Sequence, residues 1–310
     1  MKRIFLILWA LLAFVAAASA QNTEAQADYL RRYNNLVGRV GPAGLGVETL
    51  LDKWEAEFPE DPAQMLARFS FLFTRSRSSQ VVELQQDRYL GQAPLISLPD
   101  SLGNPHNYYE VYVYDDDLYA DALRAIDQAI LAEPWRLDCR MVKIDALLAY
   151  EKESPEMAVA ELKVLADKHF KEKTVWEYEG LGRVNDEQFK AFMQDYCAAI
   201  FRIGSPQSAE AFKSLSEYLL GYCKDEPLYV NNLGSYYLVK KEYKTARKYF
   251  DQVLRKHPDD MTALKNGLLV ARATKDRKLE KKYLEMMAKH GETETDRKSA
   301  QMRLDAYNKK

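Results

Sequence analysis

The sequence lacks the short motifs that usually identify an enzyme. It has no G-x-x-x-x-G-K-[ST] phosphate loop, no G-x-S-x-G turn, no dinucleotide fingerprint and no H-E-x-x-H metal motif. The four histidines are too scattered for a metal site; they are His106, His169, His257 and His290. The run Asp115-Asp116-Asp117 lacks the spacing of a calcium loop and precedes a predicted helix, whose dipole favours acidic residues. We therefore expect no catalytic, cofactor or metal site.

The net charge is close to zero, and cysteine, glycine and proline are few. Lys and Arg number 44 and Asp and Glu 46, so no broad positive surface for nucleic acid is expected. With 13 Gly and 11 Pro against 47% apolar residues, the composition is that of a globular helical protein. The cysteines are an odd set, namely Cys139, Cys197 and Cys223. The last two are expected at opposite ends of a helical hairpin, about 20 Å apart. A disulfide cannot span that distance, so we expect buried free thiols.

Long apolar runs are absent after the first 20 residues. Before that point, two basic residues precede the apolar run Ile4–Ala17, and an A-x-A sequence follows at 18–20. The run is shorter than the ~20 residues that a membrane-spanning helix needs. This pattern predicts a signal peptide over residues 1–20, and hence an exported protein, periplasmic or secreted. We expect no transmembrane segment after cleavage.

Residues 227–260 carry the clearest positive signal. Small, apolar and aromatic residues recur there at Leu233, Gly234, Tyr237, Ala246, Phe250 and Pro258. Their spacing resembles the L-G-x2-Y…A-x3-F…P pattern of the tetratricopeptide repeat, a helical hairpin with a period of about 34 residues. Gly234 and Ala246 permit close approach of the two helices, and the apolar residues form a stripe with helical period. One hairpin cannot bury that stripe alone, so the resemblance implies neighbouring hairpins.

Weaker matches to this repeat suggest how the rest of the chain is organised. Between them, LISL and YYEVYVY alternate like strands around the turn-rich segment PDSLGNP. We predict an N-terminal helical region over 21–92, a β-hairpin insertion over 93–115, tetratricopeptide-like repeats over 116–292, and a polar C-terminal capping helix over 293–310. The expected fold class is all-α, an α–α solenoid of imperfect tetratricopeptide hairpins with a short β-hairpin insertion.

The resemblance also implies where such a chain binds. In tetratricopeptide arrays, the first helices of successive repeats line a concave groove that holds a protein or peptide partner. The corresponding positions here are Leu228, Asn231, Asn232, Ser235 and Leu238, followed by Lys265, Asn266, Leu269 and Arg272. The leading hypothesis is therefore a non-enzymatic, exported scaffold that binds a protein or peptide partner in this groove, without nucleic acid or cofactor.

Two other functions stay open on the sequence. The tyrosine-rich insertion could stack on carbohydrate or another small molecule of the cell envelope, through Tyr108, Tyr109, Tyr112 and Tyr114. A cell-wall-acting enzyme could use a glutamate as general acid, but no pattern singles out one glutamate. The groove is favoured over both by analogy with the fold.

Overall fold

The computed structural model describes residues 24–308 of the chain. The predicted signal peptide, residues 1–20, lies outside the described residues. The chain divides into two compact units, with the boundary between Phe189 and Lys190. Among the described residues, no helix combines the length and the apolar character that crossing a membrane requires.

The helices of the first unit fall into two groups, before and after a small sheet. They are α1 (Glu24–Val40), α2 (Val47–Glu57), α3 (Pro62–Arg75), α4 (Asp116–Ala132), α5 (Leu137–Glu151) and α6 (Glu156–Phe170). Another helix, α7 (Asp186–Ile203), begins in this unit and continues in the second. From α1 to α3 and from α4 to α6, consecutive helices pack side by side after short loops, as in helical hairpins, and α3 packs against α4 across the inserted sheet segment.

The start of α3 shows how local sequence sets a helix boundary. Pro62 is the first helical residue, where its missing N–H costs nothing. The preceding Asp61 accepts a hydrogen bond from the Ala63 N–H at 3.0 Å, and Trp54 Nε1–H of α2 donates to its other oxygen at 3.0 Å. Asp115 caps α4 in the same way, because it accepts from the Leu118 N–H at 3.0 Å. Asp115 is exposed and caps only its own helix, whereas the buried carboxylate of Asp61 also joins the start of α3 to α2.

The sheet is larger than the predicted hairpin. β1 (Arg77–Leu84), β2 (Ile96–Pro99) and β3 (Pro105–Tyr114) form an antiparallel sheet in the order β1-β3-β2. β2 and β3 are the two strands that the sequence pattern predicts. β1, however, corrects the prediction of a helical region over 21–92, since helix α3 ends at Arg75. β1 pairs with a strand that lies beyond β2 in sequence, so its own residues do not reveal the pairing.

Two apolar clusters of described residues stabilise the first unit. One joins α1, α2 and α3 around Tyr33 and Trp54, and the other joins α3, α4 and α5 around Phe73 and Ile126. The loop between α6 and α7 contains a short ribbon, β4 (Glu177–Tyr178) and β5 (Gly182–Arg183). That ribbon lies against the loop that precedes α5, where the Glu177 N–H donates to the Trp135 carbonyl at 3.0 Å.

The second unit continues with regular helical hairpins. Its remaining helices are α8 (Pro206–Tyr222), α9 (Pro227–Val239), α10 (Tyr243–Lys256), α11 (Met261–Ala273), α12 (Arg277–His290) and α13 (Glu294–Asn308). The segment that resembles a tetratricopeptide repeat forms α9 and α10, with Ala246 and Phe250 fully buried between them. A Cβ on Gly234 would lie 2.4 Å from Phe250 Cε1, so this glycine is required for the close approach of the helices.

The next hairpin repeats that contact. A Cβ on Gly267 of α11 would lie 2.8 Å from Tyr283 Cζ of α12. The predicted fold class is confirmed within each unit, as consecutive α-helical hairpins with a small antiparallel sheet inserted between α3 and α4. Cys139 and Cys197 carry free thiols and are buried, whereas Cys223 is only half-buried.

Candidate functional site

The predicted groove residues lie on α9 and α11, the first helices of two successive hairpins. These helices are neighbours in the second unit. Asn266 Nδ2–H of α11 donates to Ser235 Oγ of α9 at 3.3 Å. Asn231 Nδ2–H of α9 donates to Asp260 Oδ1 at 3.1 Å, and Asp260 is the residue that caps α11. These hydrogen bonds place the two helices side by side.

Two residues of the predicted groove are buried beneath that surface. Asn231 and Asn232 are only 4% and 5% exposed. Asn232 exchanges side-chain hydrogen bonds with Gln194 at 2.8 and 2.9 Å and donates to Ser216 Oγ at 3.2 Å. Their prediction as partner-contacting residues is therefore wrong, because their amides serve to join α9 to adjacent helices.

Three predicted residues do meet at one concave surface. Lys265, Leu269 and Arg272 of α11 line a cavity of about 290 Å³ that α12 and α13 complete. We call it the C-terminal cleft, lined by Lys265, Leu268, Leu269, Arg272, Met287, Asp296, Ser299, Ala300 and Arg303. Leu269 is half exposed, and Lys265 and Arg272 are exposed as well. The cleft therefore offers an apolar floor with basic groups around it.

A second cavity, of about 650 Å³, lies beside the cleft and shares two of its arginines. Arg272 and Arg303 line both cavities, and Lys275 and Arg277 add two further positive charges. Five basic residues line the two cavities together, against the two acidic residues Asp296 and Glu280. The surface therefore carries a net positive charge in a chain whose overall charge is close to zero.

The two acidic residues are already engaged within the chain. Lys265 Nζ lies 3.5 Å from Asp296 Oδ1, and Arg272 Nε–H donates to Glu280 Oε1 at 2.8 Å. A hydrogen bond from Thr293, together with Lys265, holds the pKa of Asp296 below its usual range. Burial raises the pKa of Glu280, but hydrogen bonds from Tyr307 and Arg272 outweigh it and leave that pKa lowered. Both acids are therefore ionised at neutral pH and orient the neighbouring basic groups.

The other predicted residues lie apart from the cleft. Leu228 is exposed near the start of α9, Leu238 is half-buried near its end, and Ser235 and Asn266 are half-buried where they bond to each other. The prediction missed Arg303 and Met287, which complete the cleft from α13 and α12. Arg303 belongs to a helix outside the repeat pattern, so no spacing rule identifies it.

The four tyrosines of the insertion do not form one platform. Tyr109 is buried, and its hydroxyl donates to the Gln86 carbonyl at 2.6 Å. Tyr114 packs against Phe73 and Tyr150 in the helical core. Tyr108 and Tyr112 are half exposed, and a cation–π contact from Arg77 occupies the ring of Tyr112 at 5.1 Å.

The two buried cysteines and the potential metal ligands of the described residues do not indicate a catalytic site either. Burial raises the pKa of Cys139 and of Cys197 to about 12, so neither thiol is a nucleophile at neutral pH. Within residues 24–308, no group of three or more His, Cys, Asp or Glu side chains is placed to hold a metal ion.

The comparisons with known proteins identify no family for this chain. No model of a protein family matches the chain, and no curated protein matches it. A solved structure from work on the functional characterization of Pseudomonas aeruginosa PilF aligns with 97% of this chain and with 100% of its own. The two are 11% identical in sequence, with a TM-score of 0.35. That similarity is too low to transfer any function.

Proposed function

We propose that this chain is an exported scaffold of the tetratricopeptide type that binds an acidic, partly apolar segment of a partner protein in its C-terminal cleft, without catalysis. The observation that carries the proposal is the meeting of Lys265, Leu269 and Arg272 with Arg303 around one apolar floor. These residues come from two helices that are distant in sequence, α11 and α13.

The shape and chemistry of the cleft favour an extended peptide. Leu268, Leu269 and Met287 offer an apolar surface for one or two side chains of a ligand. The guanidinium groups of Arg272 and Arg303 provide planar, paired donors for carboxylates. The adjoining larger cavity continues this basic surface, so a peptide of several residues fits better than a compact metabolite.

Two peptides of equal length test the proposal. One alternates Leu with Glu and the other alternates Leu with Lys, and both carry a fluorophore for anisotropy. The Leu–Glu peptide is expected to bind, and its affinity should fall as salt rises because exposed charges are screened. The double substitution Lys265→Gln and Arg272→Gln should weaken binding at least about tenfold, through two charged hydrogen bonds.

A matched control removes the same charge elsewhere. Lys244 and Lys248 are exposed on α10 and do not line the cleft, so Lys244→Gln with Lys248→Gln should leave binding unchanged. Circular dichroism should show native helicity for both double variants. Equal binding of the two peptides, or equal loss of binding in both variants, would contradict the proposal.

A further inference from the structure

β1 is an edge strand with an open side. In the order β1-β3-β2, β3 is the central strand and β1 pairs only with β3 among the described residues. Ser78, Ser79, Gln80 and Val81 are all exposed, and Val81 is 65% exposed. A strand in this position presents a row of unpaired backbone N–H and C=O groups.

The two edges of the sheet are protected to different degrees. β2, at the far edge, has four residues and ends at Pro99, and a short strand that ends in proline resists further pairing. β1 has eight residues, RSSQVVEL, with neither proline nor lysine among them. Most proteins guard an edge of that length with such residues, so β1 is available to receive another strand.

The sequence of β1 is complementary to itself when two copies run antiparallel. Backbone groups that point outward alternate along the strand, so a self-pairing must join residues whose numbers differ by an even number. The register centred on Gln80 satisfies this rule. It places Arg77 of each copy directly opposite Glu83 of the other, and opposite charges stabilise such pairs.

Existing contacts already hold both charges on one face of the sheet. Arg77 and Glu83 share a face with Val81, because side chains alternate along a strand. The guanidinium of Arg77 stacks over Tyr112 at 5.1 Å, and Glu83 Oε1 lies 2.5 Å from His106 Nδ1. Each charge is thus fixed near one end of β1, where the second copy would meet it.

The same register also brings apolar side chains of the two copies together. It brings Val81 of the two copies to diagonal positions, within reach of each other. Ile96 and Leu98 of β2 lie on the same face of the sheet and are 50% and 48% exposed. Pairing of β1 would therefore extend this apolar face across two copies.

We propose that the open edge of β1 binds β1 of a second copy of this chain, giving a two-fold symmetric dimer with a continuous six-stranded sheet. This interface is independent of the C-terminal cleft. It requires both the free backbone edge and the pairing of Arg77 with Glu83.

Sedimentation velocity of the chain without residues 1–20 tests the proposal. The wild type is expected to show a concentration-dependent dimer. Arg77→Glu and Glu83→Arg each place like charges opposite each other and should raise the dissociation constant about tenfold or more. A mixture of these two variants restores opposite charges at both ends, so it should form a 1:1 heterodimer with affinity near that of the wild type.

A second pair of variants separates this edge from the rest of the sheet. Gln80→Lys puts two lysines opposite each other at the two-fold axis and should abolish the dimer. Ser97→Lys, on the far edge strand β2, should leave it intact. A wild type that stays monomeric at all concentrations overturns the proposal, and so does a dimer that Gln80→Lys does not weaken or a mixture that fails to pair.

Discussion

In the first unit, the charge of Arg136 joins the start of α5 to the β4–β5 loop, whereas in the second unit Gly234 lets α9 pack closely against α10. Arg136 Nε–H donates to Asp138 at 2.8 Å, and its other nitrogens reach Glu133 at 3.2 Å and Glu179 at 3.0 Å. All four side chains are at most 15% exposed, so the cluster is shielded from water. The contact of Gly234 with Phe250 contains no charge at all.

The irregular β4–β5 loop is thus held by ion pairs, whereas the regular helical hairpins are held by close packing. Glu179 lies in the β4–β5 loop, which has too few apolar residues for a core of its own, so Arg136 attaches it to the start of α5. The hairpins of the second unit have long apolar stripes, so their packing is limited by how closely the two helices can approach. The stability of the β4–β5 loop therefore depends on the balance of charge around Arg136, and that of the hairpins depends on side-chain volume at the helix contact.

Removal of Arg136 has the largest expected effect. Arg136→Met leaves three carboxylates together without their positive partner, each of them mostly buried. We expect a loss of about 3–5 kcal/mol in the free energy of unfolding, measured by urea titration. Arg124→Met, which breaks an exposed pair with Asp121, should cost less than about 1 kcal/mol.

A compensating variant identifies charge as the cause. Adding Asp138→Asn and Glu179→Gln to Arg136→Met removes two of the three unpaired charges and should recover part of the lost stability. If the triple variant is less stable than Arg136→Met alone, shape and not charge holds this loop.

The close approach in the second unit is tested by adding one methyl group. Gly234→Ala forces its Cβ into the ring of buried Phe250 and should cost about 1–3 kcal/mol, in spite of the better helix propensity of alanine. Gly267→Ala should cost less, because its nearest contact with Tyr283 is longer, 2.8 Å against 2.4 Å. Urea titrations of both variants provide the measurement.

Gly221 provides the control for this pair. A Cβ there meets nothing within 4 Å, so Gly221→Ala should be neutral or stabilising, by up to about 1 kcal/mol. Equal destabilisation by all three substitutions would mean that backbone freedom, and not packing against a ring, explains the glycines.

These contacts also show what the sequence could predict. The role of Gly234 follows from its spacing to Phe250 within one repeat, and the start of α3 follows from Asp61 and Pro62. Such features depend on neighbours within one or two helices. The pattern of residues 227–260 was therefore sufficient for the hairpin.

Features that depend on distant residues escaped prediction. β1 is specified by β3, and Arg303 reaches the cleft from a helix outside the repeat. The burial of Asn231 and Asn232 depends on Gln194 and Asp260, which belong to adjacent hairpins. Polar residues on the first helix of a repeat have the same spacing whether they face solvent or another helix, so spacing alone could not distinguish the two.

The smallest expected effect is on how the free energy of unfolding changes with pH, and a glutamate in each unit should affect it in opposite directions. Hydrogen bonds from Tyr307 and Arg272 outweigh burial and lower the pKa of Glu280 in the second unit. Its contribution to stability is therefore present above the pKa of an unfolded glutamate and is lost as pH falls through the folded value. Burial raises the pKa of Glu151 in the first unit, although the carboxylate accepts from the Ala158 N–H at 2.8 Å. Glu151 therefore favours the folded state more as pH falls.

Glu280→Gln and Glu151→Gln should consequently change the pH dependence in opposite directions. Between neutral pH and pH about 4, Glu280→Gln should reduce the loss of stability on acidification, because it removes a group that must gain a proton on acid unfolding. Glu151→Gln should increase that loss, since it removes a group that binds its proton more tightly when folded. Urea titrations at the two pH values measure the sign of each difference. Shifts of the same sign in both variants would show that general charge repulsion, and not these two carboxylates, governs the response to acid.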